Sequence, residues 1–271
     1  MEPDSTPAAA LPDLTGRVAI VTGGGRGIGR ATALDLAAAG AAVAVVARTA
    51  AEVELTAATI IGERGGRALA VTADLADRDT LARLDELVAR VGTELGPIGI
   101  LINNAATVNP LGRTADLDAE SVDAALRLNV TALIALTGAA LPGLVAAGWG
   151  RIVNVSSGVA ANPDAMIGGG TYAATKAAVE AHTINLATEL AGTGVTANAY
   201  RPGGVDTAMQ ESIRGQDPRR VGELVTRFRD THAAGRLLTP EASARRLVTR
   251  LASMDSGQIW DVSDPAPPDA P

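Results

Sequence analysis

The residues of this chain with the clearest chemical potential are Tyr172 and Lys176, which are four positions apart. Lys176 is the only lysine among 23 basic residues, and Tyr172 is one of two tyrosines. On a helix this spacing puts both side chains on one face, where an ammonium can lower the phenol pKa from about 10. Tyr172 is therefore a candidate proton donor and acceptor. A compact ammonium differs from the flat guanidinium that arginine supplies elsewhere in the chain.

Taken alone, this spacing more often describes a packed tyrosine beside a surface lysine, so the interpretation depends on a second motif. Gly23-x-x-x-Gly27-x-Gly29 directly follows the predicted strand at residues 18–21. Glycines at a strand-to-helix junction let the backbone approach a pyrophosphate, whose charge then lies at the helix amino terminus. A tight turn without a ligand is the alternative explanation. The position of the motif in a βαβ unit favours dinucleotide binding.

The composition disfavours several classes of function. Hydrophobic residues make up 47% of the 271 residues but aromatic residues only 2%, so aliphatic side chains must form the core and most of any substrate pocket. A net charge of -7 and a pI of about 4.9 disfavour nucleic acid and anionic membranes as partners. Because the chain has no cysteine and only two separated histidines, His182 and His232, we expect no metal site.

The start of the chain predicts no targeting segment. Residues 1–13 are acidic and contain proline, the reverse of a basic segment followed by an apolar one. The longest apolar run, around residues 37–47, is too short to cross a bilayer. We therefore expect a cytoplasmic protein without a membrane partner, and mobile tails at residues 1–13 and 264–271.

Short β-branched runs alternate with segments of helical period, and this alternation predicts the fold. The predicted strands cover residues 18–21, 42–47, 68–72, 99–103, 151–155, 195–200 and 258–262. The predicted helices cover residues 27–39, 51–64, 78–94, 120–147, 172–191 and 240–254. The first five strands are apolar almost throughout, as parallel strands covered on both faces are. We predict an α/β fold, a Rossmann-like doubly wound parallel sheet of about seven strands with helices on both faces.

This sheet is predicted to form one domain, residues 14–263. Residues 204–238 depart from the alternation, because Gly, Arg, Asp and Pro are scattered through short helical pieces. An insertion after the sixth strand lies at the carboxyl edge of the sheet, where open α/β sheets bind ligands. We expect it to cover the substrate.

Further landmarks follow the two motifs in a fixed order along the chain. They are Asp74, Asn103-Asn104-Ala105, Asn129, Ser156-Ser157 and Pro202-Gly203-x-Val205-x-Thr207. With the glycine loop and the Tyr172–Lys176 pair, they resemble the short-chain dehydrogenase/reductase family over about residues 14–263. The glycine spacing and the length are similar to the smaller, single-domain branch of that family.

The resemblance implies four catalytic residues. Tyr172 exchanges the proton with the substrate oxygen, while Lys176 lowers the Tyr172 pKa and holds the nicotinamide ribose. Ser157 hydrogen-bonds the substrate oxygen, and Asn129 anchors a water that replaces the proton through Lys176. The residues that it implies for cofactor binding are Gly23, Arg26, Gly27, Ile28, Gly29, Arg48, Thr49, Asp74, Leu75, Asn103, Ala105, Tyr172, Lys176, Pro202, Gly203, Val205 and Thr207. Alternatively, Asn129 marks a helix bend and Asp74 caps a turn.

The chain departs from the family in the distance between Ser157 and Tyr172, which is longer than usual. Gly168-Gly169-Gly170 can absorb the extra length as a flexible bulge. The spacing leaves open whether Ser156 or Ser157 faces the site, since side chains alternate across a strand. We favour Ser157, the second of the pair.

The end of the second strand indicates the cofactor. NAD is bound through an acidic residue about 20 positions after the glycine loop, but here Arg48 follows the strand and no carboxylate precedes Glu52. Arg26, in the glycine loop, adds a second guanidinium. Because guanidinium–phosphate pairs are strong, we predict NADP(H). Solvated surface arginines are the alternative in this arginine-rich chain.

These observations predict an NADPH-dependent carbonyl reductase, in reverse an alcohol dehydrogenase, acting on a small ketone. The alternative is a non-catalytic NADP-binding redox sensor on the same fold. The expected pocket residues, which indicate an apolar or amphipathic ketone such as a 3-oxoacyl compound, are Val108, Val159, Met166, Ile167, Met209 and Ile213. The alanine-rich helices, together with the oligomers that are common in the family, predict a homodimer or homotetramer. The substrate and the direction of the reaction stay open.

Overall fold

Seven parallel strands form the centre of the molecule, which confirms the predicted doubly wound α/β sheet. The computed structural model describes residues 10–265. The strands lie in the order β3-β2-β1-β4-β5-β6-β7, so the order reverses between β1 and β4, and ligands bind at such a point beyond the carboxyl ends. The strands are β1 Val18–Thr22, β2 Ala42–Ala47, β3 Ala68–Thr72, β4 Ile98–Asn103, β5 Gly150–Val155, β6 Val195–Arg201 and β7 Ile259–Asp261.

Helices cover both faces of this sheet. In the described part of the chain the α-helices are α1 Gly27–Ala38, α2 Ala50–Arg64, α3 Arg78–Leu81, α4 Leu84–Leu95, α5 Ala119–Leu126, α6 Ala132–Ala146, α7 Gly170–Glu189, α8 Ala208–Arg214, α9 Pro218–Val221, α10 Glu223–Ala233 and α11 Pro240–Thr249. Alternate strand residues form two cores. One lies toward α1 and α11, with Leu36 and Leu247, and the other toward α4 and α6, with Val91 and Leu136.

Two predicted helices differ from the observed ones. The helix predicted at 78–94 is two helices, because the chain turns at Ala82 and Arg83 between α3 and α4. The helix predicted at 120–147 contains a π-helical turn, Arg127–Thr131, between α5 and α6. Such turns frequently occur at functional sites, and this one contains Asn129.

The helical stretch Ala119–Ala146 contains an 18-residue window with a mean hydropathy of 1.8 and could span a membrane by length and composition alone. This stretch is longer than the apolar run around residues 37–47, the longest one expected from the sequence. Leu136, Ala140 and Leu144 of α6 are buried in the second core. The apolar character of α6 is therefore explained in part by its packing on the sheet.

The tails predicted at both ends are only partly described, since residues 1–9 and 266–271 lie outside the described range. In the described remainder, Leu11 packs against the first core, and the Arg250 guanidinium donates to the carbonyl oxygens of Asp264 and Pro265 at 3.0 and 3.1 Å. These contacts hold residues at the inner ends of both predicted tails against the domain.

Candidate active site

The glycine loop between β1 and α1 leaves no space for side chains. Gly23 has a φ of +63°, and a Cβ on Gly29 would lie 2.2 Å from the Gly23 carbonyl oxygen. The amide of Asn104 closes the loop by donating to the carbonyl oxygens of Thr22 and Gly23 at 2.9 and 3.3 Å. No side chain caps the amino terminus of α1, so its backbone N–H groups are available to an anion.

A cleft of about 400 Å³ opens beside this loop at the carboxyl edge of the sheet. Residues predicted to bind the cofactor that line it are Gly23, Arg26, Gly27, Ile28, Gly29, Arg48, Thr49, Asp74, Leu75, Ala105 and Thr207. Its walls also include Glu52, Asn104, Thr107, Val108 and Met209. The closely packed loop, the uncapped helix terminus and a lining that includes both Arg48 and Met209 fit a dinucleotide.

Asp74 both lines the cleft and caps a turn, since its Oδ1 accepts from the Ala76 backbone N–H at 2.9 Å. The two interpretations of this residue are therefore compatible.

Asn103, in contrast, lies outside the cleft lining. Its side chain is buried and donates to Thr137 Oγ1 and Asn154 Oδ1 at 3.0 and 2.9 Å. This corrects the expectation for its side chain, because Asn103 is the last residue of β4 and its side chain is buried between neighbouring elements. Asn104, the first residue beyond the strand, lines the cleft instead.

The adenosine end of the cleft carries a carboxylate as well as two arginines. Glu52, in the first turn of α2, lies 3.8 Å from the Arg26 guanidinium, and their side chains are 34% and 65% exposed. The Glu52 side chain packs on the loop, since a Cβ on Gly25 would lie 2.7 Å from its Cβ. The prediction of two arginines without a neighbouring carboxylate is therefore wrong for Arg26, which lies beside Glu52. It still applies to Arg48, which is exposed at the rim of the cleft.

Three residues predicted to bind the nicotinamide end of the cofactor lie outside the cleft lining, where they pack against or bond to neighbouring segments. Gly203 has a φ of +77°, and a Cβ there would lie 2.7 Å from a Val262 methyl carbon. Val205 pairs with Leu238 in an isolated bridge, which closes the base of the segment that carries α8, α9 and α10. Pro202 accepts a hydrogen bond from the Ser243 hydroxyl at 3.0 Å. In the cleft itself, Thr207 contributes to the lining.

Ser157, rather than Ser156, faces Tyr172. The Ser157 hydroxyl acts to lower the Tyr172 pKa, but burial, which raises it, is the larger effect. The Ser156 hydroxyl instead donates to Glu180, two turns beyond Tyr172 on α7, at 2.7 Å. The chain between Ser157 and Tyr172 contains two 3-10 turns, Gly158–Ala160 and Pro163–Met166. Of the three glycines predicted to form a bulge, Gly168 has a φ of +87° and Gly170 is the first residue of α7.

Lys176 lies one turn from Tyr172 but does not contact its hydroxyl. Its Nζ donates to the Val155 carbonyl oxygen at 2.7 Å and lies 5.7 Å from the centroid of the Tyr172 ring. Burial raises the pKa of Tyr172 to about 12 and lowers the pKa of Lys176 to about 8. In the protein by itself, desolvation outweighs any lowering of the phenol pKa by the ammonium, so the net shift is upward.

Asn129, in the π-helical turn, is buried and clamps the loop that follows β4. Its Oδ1 accepts from the Thr107 N–H, and its Nδ2 donates to the Thr107 carbonyl oxygen, both at 2.8 Å. Nδ2 also donates to the Thr175 hydroxyl at 3.1 Å. Both amide protons are used, so a water could be anchored only through the remaining lone pair of Oδ1.

An apolar cluster surrounds Tyr172 under the segment formed by α8, α9 and α10. It contains Val108, Met166, Ile213, Val221, Leu224 and Val225, with Val159 and Met209 packed at its edge. Val108 and Met209 also line the cleft, so this cluster borders it, whereas Tyr172, Ser157 and Lys176 lie outside the cleft lining. Ile167 was expected in this pocket, but its side chain is 76% exposed because it follows the 3-10 turn at the outer surface.

The glycine loop at the point where the strand order reverses, joined by an apolar cluster to Tyr172, Ser157 and Lys176, defines a dinucleotide-binding oxidoreductase. Among the described residues, no group of three or more potential metal ligands was found.

Comparison with known proteins agrees with this class. The profile of a family described as short chain dehydrogenase matches residues 17–218. The chain is 34% identical over 256 residues to a 3-oxoacyl-[acyl-carrier-protein] reductase of Synechocystis sp., with 91% of this chain and 98% of the relative covered. The chain belongs to the short-chain dehydrogenase/reductase family, and it is an NAD(P)-binding oxidoreductase that acts on CH–OH groups.

Two solved structures share the fold over nearly the whole chain. A putative NAD(P)-dependent gluconate 5-dehydrogenase from Beutenbergia cavernae, with bound NADP, is 35% identical, with a TM-score of 0.78 and 92% and 96% of the two chains covered. The L-sorbose reductase of Gluconobacter frateurii, complexed with NADPH and L-sorbose, is 26% identical, with a TM-score of 0.81 and 93% and 97% covered.

Proposed function

We propose that this protein is an NADPH-dependent carbonyl reductase, and in reverse an alcohol dehydrogenase, for a small apolar or amphipathic ketone. The observation that carries the proposal is the placement of Tyr172 beside Ser157, with the only lysine 5.7 Å from its ring and with Val108 and Met209 shared between its apolar cluster and the cleft. Ketone reduction builds negative charge on the carbonyl oxygen, which needs positioned donors and a nearby acid.

In this proposal Tyr172 is the acid and Ser157 the second donor to the substrate oxygen. A bound nicotinamide supplies the hydride. Since burial raises the pKa of Tyr172, its phenol holds the proton at neutral pH in the ligand-free protein. Lys176, whose pKa burial lowers to about 8, is positively charged below that pH and can stabilise the phenolate. Asn129 holds the loop at Thr107, and the free lone pair of its Oδ1 can anchor a water.

For the cofactor we propose a preference for NADPH over NADH, supported by Arg48 at the rim of the cleft. Arg48→Asp removes the charge-assisted hydrogen bond between the guanidinium and the 2′-phosphate and introduces repulsion between a carboxylate and that phosphate. Losing such a hydrogen bond costs about 1.5–3 kcal/mol, or about one to two decades in KM for NADPH. NADH, without that phosphate, should be used equally well or better. A parent enzyme that prefers NADH by kcat/KM contradicts this part of the proposal.

For the substrate we propose an apolar or amphipathic ketone, because the cluster around Tyr172 contains only aliphatic, methionine and phenylalanine partners. The 3-oxoacyl reductase among the relatives supports a 3-oxoacyl compound, whereas the sorbose reductase shows that the fold also accepts a sugar. The net charge of -7 disfavours an acidic carrier protein as the donor of an acyl substrate.

The test is NADPH oxidation with a matched panel of carbonyl compounds. The panel should contain 3-oxoacyl esters of increasing chain length, simple aliphatic ketones and keto sugars. We expect kcat/KM to rise with apolar chain length and to be lowest for the sugars. Turnover confined to the sugars contradicts the substrate class, and tight NADPH binding without turnover of any compound favours the redox sensor.

We also propose that the protein is a homodimer or homotetramer. Large apolar side chains of α5, α6 and α7 remain partly exposed: Leu126, Ile134, Val145 and Ile184 are between 41% and 47% exposed. Burying such side chains against a second copy of the same helices stabilises a dimer. Small residues of α7, such as Ala177 and Ala181, allow the helices to approach closely.

A further inference from the structure

A buried ion pair lies directly behind the proposed catalytic residues. Glu180, one turn beyond Lys176 on α7, is 7% exposed and accepts two hydrogen bonds from Arg201, at 2.8 Å from Nε and 2.7 Å from Nη2. Its Oε1 also accepts from the Ser156 hydroxyl at 2.7 Å. These contacts join the carboxyl ends of β5 and β6 to α7.

Stability alone is a weak reason for such a pair. Burying two charges carries a desolvation penalty that their attraction offsets only with good geometry, and apolar residues of similar volume are often equally stable. A role for Glu180 and Arg201 beyond stability must act through a group that Glu180 contacts. That group is Ser156, which precedes Ser157.

The direction of Ser156 restricts the direction of Ser157. The Ser156 hydroxyl has one proton, and its short bond to Glu180 uses it. Because Ser157 follows Ser156 directly in extended backbone, the bond from Ser156 to Glu180 limits the directions in which the Ser157 side chain can point, and Ser157 faces Tyr172. The backbone between them is also fixed, since the Ser156 N–H donates to the Tyr200 carbonyl oxygen at 2.7 Å.

Consecutive turns of α7 thus hold consecutive residues of one strand end, because Lys176 Nζ donates to the Val155 carbonyl oxygen as Glu180 accepts from Ser156. We propose that Glu180 and Arg201 are positioning residues that act through Ser156 to direct the Ser157 hydroxyl to Tyr172. This inference rests on the proposed catalytic function of Ser157 and Tyr172.

The first test needs neither cofactor nor substrate. The chain has two tyrosines, so labelling at Cζ gives two NMR resonances that report hydroxyl hydrogen bonding, and Tyr200→Phe assigns them. Ser157→Ala shifts the Tyr172 resonance by removing its partner. We expect Ser156→Ala and Glu180→Ala to shift it in the same direction, while Tyr200, bonded to the Ser243 carbonyl at 2.8 Å, keeps its shift.

The second test compares kinetics with a matched ion pair. Asp35 on α1 accepts two bonds from Arg245 at 3.0 and 2.9 Å and is 8% exposed, so Asp35→Ala breaks an equivalent pair that does not contact β5. We expect both Asp35→Ala and Glu180→Ala to lower the melting temperature. Only Glu180→Ala and Ser156→Ala should lower kcat, by roughly tenfold or more, with little change in the Kd for NADPH.

Two further variants separate positioning from folding. The double variant Ser156→Ala with Glu180→Ala should lower kcat no further than the stronger single one, because both act through the same bond. Glu180→Gln keeps an acceptor for Ser156 and should retain more kcat than Glu180→Ala.

The outcomes distinguish this inference from the proposed function. If Ser157→Ala alone shifts the Tyr172 resonance, or if Ser156→Ala keeps the parent kcat, the positioning inference is wrong. If Ser156→Ala and Glu180→Ala reproduce the shift but Tyr172→Phe retains activity, the positioning stands and the catalytic assignment is wrong.

Discussion

Replacing Lys176 by methionine should make the ligand-free protein more stable at neutral pH. Burial lowers the pKa of this lysine from 10.5 to about 8, so folding opposes its charge. A shift of this size corresponds to about 3 kcal/mol at about 1.36 kcal/mol per pKa unit. Methionine keeps the aliphatic stem but loses the 2.7 Å bond to the Val155 carbonyl oxygen, which costs about 1 kcal/mol. The expected net gain is about 2 kcal/mol.

The pH dependence follows from the direction of the shift. Between the folded pKa of about 8 and the unfolded value of 10.5, the unfolded chain binds more protons than the folded one. The parent therefore becomes more stable as pH rises through this window. The unfolding free energy of Lys176→Met does not rise in this way. The curves of unfolding free energy against pH for the parent and the variant should therefore cross within this window. Above pH 10 the unfolding free energy of the parent falls, because burial raises the pKa of Tyr172 and Tyr200 from 10.0 to about 12. In that range the folded protein binds more protons than the unfolded chain.

Urea unfolding across this pH window, without cofactor, measures the effect. Arg90→Met is the matched control, because it removes the same charge from an exposed pair with Glu94 on α4. We expect it to keep the parent slope of unfolding free energy against pH. A Lys176→Met variant that is less stable than the parent throughout, with the parent slope, refutes the reasoning from burial.

Three other predictions concern activity and assembly. Tyr172→Phe keeps the ring but removes the acid, so kcat should fall by about 10² or more with unchanged NADPH affinity; activity within a factor of about two means that the acid is another group. Glu52→Gln removes the carboxylate beside Arg26 and should lower KM for NADPH roughly two- to fivefold, as expected for a partly exposed pair, without lowering KM for NADH. Light scattering should report a dimer or tetramer, and a monomer at micromolar concentration contradicts the proposed helix pairing.

The fold and the order of its motifs could be predicted from local patterns. Apolar runs of strand length between segments of helical period identify parallel strands and crossover helices, and all seven predicted strands overlap observed ones. Boundaries were less predictable, because the break between α3 and α4 and the π-helical turn at Arg127–Thr131 depend on the packing of neighbouring elements. The only lysine in the chain identified the centre of the site before any geometry was known.

The sequence alone determined which residue types are present, how they are spaced and which periodicities they follow, and this was enough for the sheet, the glycine loop and the Tyr172–Lys176 pair. Tertiary structure decided which of two adjacent residues faces the cleft. Ser156 donates to Glu180, 24 positions further along the chain, and Asn104 rather than Asn103 lines the cleft. It also brought Glu52 to Arg26 and raised the Tyr172 pKa. Such effects depend on long-range contacts and desolvation, which exist only once the chain is folded.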